Sequence, residues 1–219
     1  MTLYVQLISS PPPAWHNGGP TRLSHTYLSV AKKCFDRVLL VGTSSEGCGR
    51  KEIAEAVVLP AESVLIVPTL RPGKPYGIPT PTVIARLVSA IAASDACTIH
   101  LLEFKSTLML VAVLLKIVFG RKITFVHSPF GQLSTTEMLG SVEALFTSAY
   151  VAFVDRILCQ SRAEIDVVEA VTTKFGGHAR VLLTPLSPLD APPLHESDDR
   201  ETGAREGAVF LGRVVPEKG

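Results

Sequence analysis

Short apolar strands alternating with amphipathic helical segments predict an α/β fold, a Rossmann-like parallel sheet with helices on both faces. Runs such as Arg37 to Val41 (RVLLV), Thr98 to Leu102 and Ile123 to Val126 are almost continuously apolar, the pattern of strands buried on two sides. Between them, apolar residues recur at helical spacing behind recognisable start and stop signals. With 219 residues, 47% of them hydrophobic and 19% charged, the chain has ample material for a core.

The elements follow in order. Leu3 to Ile8 reads as a first strand, ended by Pro11-Pro12-Pro13. Trp15 to Gly19 is a loop, and Pro20 suits the first turn of a helix whose expected stripe is Leu23, Tyr27, Val30, Ala31 and Cys34. Arg37 to Val41 is the next strand, with Val57 to Leu59 and Val64 to Val67 as further strand candidates. Pro68 to Pro81 holds five prolines and two glycines, a surface loop of unusual length. Thr80-Pro81 then caps a helix with the face Val83, Ile84, Leu87, Val88 and Ile91. The strand Thr98 to Leu102 leads to a helix from Ser106 to Phe119, read as buried behind the sheet and ended by Gly120. Ile123 to Val126 enters His127-Ser128-Pro129-Phe130-Gly131.

Two capping boxes, Ser134 with Glu137 and Ser161 with Glu164, open two more helices, the second stopping at Gly176-Gly177. Arg156 to Cys159 and Val181 to Leu183 are strands. His195 to Gly207 is charged and lacks core residues, and Ala208 to Leu211 resumes as a strand before a turn at Gly212-Arg213. The expected organisation is one α/β domain over 1–193, a linker over 194–207, and the opening of a second domain over 208–219.

Several function classes lose support here. Lys+Arg number 21 against 20 Asp+Glu, with no basic patch, so a nucleic-acid partner is not expected. Cys34, Cys48, Cys97 and Cys159 form no C-x-x-C pair, and Cys97 with His100 has no second ligand pair, so no metal is expected and reduced thiols in a cytosolic protein are. No basic n-region opens the chain, and Leu108 to Phe119 is shorter than the ~20 residues a spanning helix needs. G-x-S-x-G, P-loop and G-x-G-x-x-G patterns are all absent, and no cofactor is indicated.

In an open parallel sheet, ligands bind beyond the carboxyl ends of the strands, and those loops hold the candidate residues. Asn17-Gly18-Gly19 precedes a helix amino terminus, where free amides favour an anion; a tight turn is the simpler explanation of the same glycines. His127 ends an apolar strand, where it either donates into the crevice or serves as a structural hydrogen bonder. His100, within its strand, reads as a satisfied core histidine, while Glu103 and Lys105 read as ordinary solvated charges. Arg213 and Lys218 flank a glycine turn after a strand; two cations so placed clamp a diphosphate or simply decorate a surface turn.

Taken together and in order, these segments resemble the family 4 (group 1) glycosyltransferases, whose GT-B fold has two Rossmann-like domains. Ala208-Val-Phe-Leu-Gly-Arg-Val-Val-Pro-Glu-Lys-Gly219 looks like the start of that family's C-terminal domain. Asn17-Gly18-Gly19-Pro20 resembles its glycine loop, and Thr124-Phe125-Val126-His127 its strand ending in an active-site histidine. Leu158-Cys159-Gln160-Ser161 and Leu183-Thr184-Pro185 through Asp190 resemble its later strand ends.

The resemblance implies retaining transfer of a sugar from a nucleotide-sugar donor to the hydroxyl of a sugar, lipid or other acceptor. It further implies that His127 contacts the transferring sugar and that Gly18 and Gly19 line the cleft near the donor phosphates or the acceptor. Arg213 and Lys218 would neutralise the leaving diphosphate. Two features depart from the family: Ser128 stands where it usually has glycine, and its acidic E-x7-E motif does not occur. The expectation is therefore an acceptor-side domain, inactive alone, whose donor needs a C-terminal domain missing here. The alternatives are a non-catalytic binding module or one subunit of a split transferase; a dinucleotide-dependent oxidoreductase lacks its glycine fingerprint. A cytoplasmic location at the inner face of the membrane is expected. Arg71, Lys74 and Tyr76 make the Pro68 to Pro81 loop the expected contact for an acceptor or a bilayer.

Overall fold

The computed structural model describes residues 1–14, 19–44, 47–69, 77–102, 107–130 and 141–184, the first six residues of the last stretch by backbone only. The chain divides after Ser187, and every described element lies in the unit Met1–Ser187. The Ser134 capping box, most of the proline-rich loop, and everything expected from Pro185 onward fall outside the described residues.

Seven parallel strands form one sheet in the order β3-β2-β1-β4-β5-β6-β7. They are β1 (Thr2–Ile8), β2 (Arg37–Thr43), β3 (Val64–Val67), β4 (Ala96–Leu102), β5 (Ile123–Ser128), β6 (Arg156–Cys159) and β7 (Arg180–Leu183). The helices are α1 (Gly19–Cys34), α2 (Arg50–Val57), α3 (Pro81–Ala92), α4 (Leu108–Phe119), α5 (Ser141–Phe153) and α6 (Arg162–Lys174). From β1 the chain winds outward through β2 and β3, then returns to β4 on the other side of β1 and winds the opposite way. The fold is thus α/β and Rossmann-like, as the sequence predicts, with its topological switch between β1 and β4.

The strand period of two sorts the side chains onto two faces. Leu3, Val5, Leu7, Ile99, Leu101 and Phe125 join the cores of α3, α4, α5 and α6. Tyr4, Ile8, Leu40 and Leu102 join those of α1 and α2. Both faces are apolar because each crossover between parallel strands lays a helix on the sheet.

Polar contacts close the amino edge of the sheet. Asp36 accepts from the Thr2 amide at 2.6 Å and from its hydroxyl at 3.1 Å. Asp95 pairs with the N-terminal ammonium. Asp155 accepts from the Lys116 ammonium at 2.7 Å and from the Phe125 amide at 2.7 Å, while its carbonyl takes the Arg180 amide at 2.9 Å. One aspartate therefore joins α4, β5 and the start of β7.

Three local expectations need correction. Val57 to Leu59 is not a strand: Ile53, Ala54 and Val57 are buried at helical spacing, and α2 runs to Val57 with Val58 as its left-handed cap at φ 53°. Lys32 donates to the carbonyls of Val57 and Val58 there, at 3.2 and 3.4 Å. The buried stripe of α1 is Thr21, Ser24, Leu28 and Ala31, while Val30 is 49% exposed; small polar residues, not only large apolar ones, face the sheet. Finally, α4 is buried on one side only, and Leu114, Ile117 and Val118 face outward.

The glycine pair after α6 stops the helix by two different means. Gly176 adopts φ 69°, the left-handed conformation that a helix end favours in glycine. Gly177 lies so close to α5 that an added Cβ would stand 2.1 Å from Val151 Cγ1. We predict that Gly177→Ala destabilises the domain by about 1–3 kcal/mol in chemical denaturation, because buried Val151 must be displaced. An unchanged midpoint would contradict that close approach.

Candidate functional site at the carboxyl edge of the sheet

Parallel strands place all their carboxyl ends on one edge, and the switch between β1 and β4 is the point on that edge where open α/β sheets bind ligands. Gly19 begins α1, so the amino end of that helix follows β1 onto this edge, and an added Cβ at Gly19 would meet nothing within 4 Å. Gly18, Arg213, Lys218, Glu103 and Lys105 lie outside the described residues.

His127 is the penultimate residue of β5, opposite Leu101 on β4 and Ile157 on β6. Its parity matches Phe125, so it faces α5 rather than α1. The ring is fully buried, with Nδ1 2.5 Å from the Tyr150 hydroxyl and the two rings edge-to-face at 4.9 Å. Tyr150 is itself fully buried, and desolvation holds its phenol well above the ordinary tyrosine range. A neutral phenol therefore sets the orientation of the imidazole.

Next to it but on the opposite face, β4 carries His100. Its Nδ1 meets the Tyr4 hydroxyl at 2.7 Å and its Nε2 the Ser128 hydroxyl at 2.9 Å. The Tyr27 ring of α1 packs edge-on against the same imidazole, centroids 4.7 Å apart. Hydroxyls both donate and accept, so either imidazole tautomer is satisfied. This is the core histidine expected from its mid-strand position. Burial lowers its pKa to about 3, so it stays neutral in the fold.

Along the carboxyl half of the sheet, several buried side-chain atoms have no hydrogen-bond partner among the described residues: Gln6 Oε1, Ser24 Oγ, Gln160 Nε2 and Thr184 Oγ1. Gln6 lies on β1 beside His100, with Nε2 3.4 Å from the Ser24 carbonyl of α1. Gln160 and Thr184 immediately follow β6 and β7. Ser161 caps α6 by accepting from the Glu164 amide at 3.1 Å, while the Glu164 carboxylate takes the Gln160 amide at 2.7 Å. An unmet polar atom in a native interior costs roughly 1–3 kcal/mol, so its concentration on one edge marks a place where a polar ligand would be rewarded.

Among the described residues no group of three or more His, Cys, Asp or Glu is arranged to hold a metal ion. All four cysteines are free, and burial pushes the Cys97 and Cys159 thiols up to about 12, so neither is a ready nucleophile. What the edge offers is hydrogen bonding, through helix amino ends and through amide and hydroxyl groups with spare capacity. Sequence reasoning passes over Tyr150 and Gln6, and places Tyr27 only on a helix stripe. Only Gln6 leaves a signal, as a lone amide in an apolar strand.

No protein-family model matches the chain, and no curated protein matches it at a significant level.

The His100 environment fixes a pH dependence. Unfolded, the ring takes a proton below its ordinary pKa of 6.5; folded, it does not do so until about 3. Stability is therefore lost as pH falls through that window, at up to ~1.4 kcal/mol per pH unit. Asp36 and Asp95 are held below the ordinary 3.8 by their bonds to Thr2 and the N-terminus, so their losses come at lower pH. Urea denaturation of His100→Gln between pH 7 and 4.5 should show lower stability at neutral pH and a shallower decline. An unchanged slope would contradict a neutral buried His100.

Proposed function

We propose that this domain is the acceptor-side half of a nucleotide-sugar-dependent glycosyltransferase, retaining in stereochemistry and similar to family 4. The observation that carries this reading is the convergence on one carboxyl edge of Gly19, His127, Gln160 and Thr184, each within or beside a segment that resembles the family. Hydroxyl-rich ligands need many oriented hydrogen bonds, which suits an edge with unmet buried amide and hydroxyl atoms.

In this reading His127, held by Tyr150, contributes its imidazole to the transferring sugar. The amino end of α1, with Gly18 and Gly19, faces the donor phosphates or the acceptor. Arg213 and Lys218 act on the leaving diphosphate, where fixed cations favour the transition state more than the ground state. The acceptor is the hydroxyl of a sugar, a lipid or another small molecule. Free thiols, including exposed Cys34, suit the cytoplasmic location that the reading carries with it.

A second reading draws on the complete burial of His127 and its tie to Tyr150, which a purely structural histidine would also show. In that reading the domain is a non-catalytic binding module or one subunit of a split transferase.

Calorimetric titration of UDP and GDP separates the two. Measured on this chain and on the chain joined to a family donor domain, the transferase reading expects binding that requires the donor domain and weakens about tenfold in Arg213→Ala, the order of one charge-assisted contact. Absence of nucleotide binding in both proteins, or indifference to Arg213→Ala, favours the module.

A further inference from the structure

The outward face of α4 carries a ridge of apolar side chains. Leu114, Ile117 and Val118 are 61%, 53% and 71% exposed at spacings that align them along one side of the helix, while Leu108, Val111, Ala112 and Leu115 fill the core on the other. A surface helix ordinarily presents charge to water here. The only charged residue of α4, Lys116, instead turns its ammonium inward to the Ile123 carbonyl at 2.6 Å and the Asp155 carboxylate at 2.7 Å.

The charge on α3, α4 and the turn that leaves α4 has one sign. Neither α3 nor α4 contains an aspartate or glutamate. The turn leaving α4 bears exposed Arg121, which makes no ion pair among the described residues, and Lys122, whose ammonium donates to the Ala92 carbonyl at the end of α3 at 2.9 Å. The acids that introduce the neighbouring strands are engaged: Asp95 by the N-terminus, Asp155 by Lys116. In contrast, α6 carries Glu164, Asp166 and Glu169, and α2 carries Glu52 and Glu55.

We propose that α4 docks the protein onto an anionic lipid bilayer, with Leu114, Ile117 and Val118 entering the interface and Arg121 and Lys122 meeting headgroup phosphates. An apolar helix face with cations at its end is the pattern of interfacial membrane binding. A second protein fits less well. Three side chains offer well under the ~800 Å² per partner of a specific interface, and a convex helix brings no groove with it. The inference is independent of the transferase reading.

Co-sedimentation of the full chain with phosphatidylcholine vesicles, with and without phosphatidylglycerol, is the test. Binding to the anionic vesicles should exceed binding to the neutral ones and weaken with salt. Leu114→Gln with Val118→Gln should reduce it about tenfold or more, and Arg121→Glu should remove most of the preference for anionic lipid. All three positions are exposed, so unchanged circular dichroism is expected alongside. Val30→Gln, at an exposed apolar position of α1 on the other face, should bind like the wild type. The proposal is overturned by absence of vesicle binding, by binding that survives the ridge substitutions, or by equal loss in Val30→Gln. A concentration-dependent dimer abolished by the ridge substitutions would also overturn it, assigning the ridge to a second copy.

Discussion

Because every strand is parallel, the two edges of the sheet have separate tasks. All amino ends lie on one side and all carboxyl ends on the other, and each crossover must cross a face as a helix. The amino edge is closed by short polar contacts: Asp36 to Thr2, Asp95 to the N-terminus, and Asp155 to Lys116, Phe125 and Arg180. The carboxyl edge keeps buried polar atoms at Gln160 and Thr184 that have no partner among the described residues. Stability is concentrated at one end, and hydrogen-bonding capacity is held in reserve at the other.

Two histidines on adjacent strands show how strand parity divides roles between similar side chains. His100 points toward α1 and has hydroxyl partners on both nitrogens, Tyr4 from β1 and Ser128 from β5. His127 points the opposite way, toward α5, and is oriented by Tyr150. A shift of one residue in β5 would exchange the faces of His127 and Ser128 and break both arrangements. The register therefore fixes the surroundings of both histidines at once. Ser128 at the position where the resembling family has glycine acquires a physical reason: its hydroxyl completes the His100 site.

Much of this architecture is legible in the residues. Apolar runs such as RILC at Arg156 to Cys159 mark strands because burial on both faces leaves no room for polar alternation. Thr80-Pro81 marks a helix start, since Thr80 accepts from the Val83 amide and Pro81 has no amide to satisfy. Val57 to Leu59 misleads because β-branched composition suggests a strand while the spacing of Ile53, Ala54 and Val57 decides for a helix. The partners of the candidate site were not legible. Tyr150 reaches His127 from a different element, and no local pattern encodes that meeting. The exposed side of α4 was hidden for a similar reason: every position but Lys116 is apolar, so periodicity cannot tell which face meets the core.

The central claim is that the carboxyl edge of the sheet is where a sugar-bearing ligand is bound. Backbone amide shifts, followed by nuclear magnetic resonance while methyl glycosides are titrated in as acceptor mimics, test it directly. The shifts should concentrate at Gly19, Ser128, Phe130, Ser161 and Thr184, which lie at the carboxyl edge, and leave α2 and the amino-edge residues Asp36, Asp95 and Asp155 unmoved. Shifts confined to α2 or the amino edge, or no shifts at any ligand concentration, would contradict it.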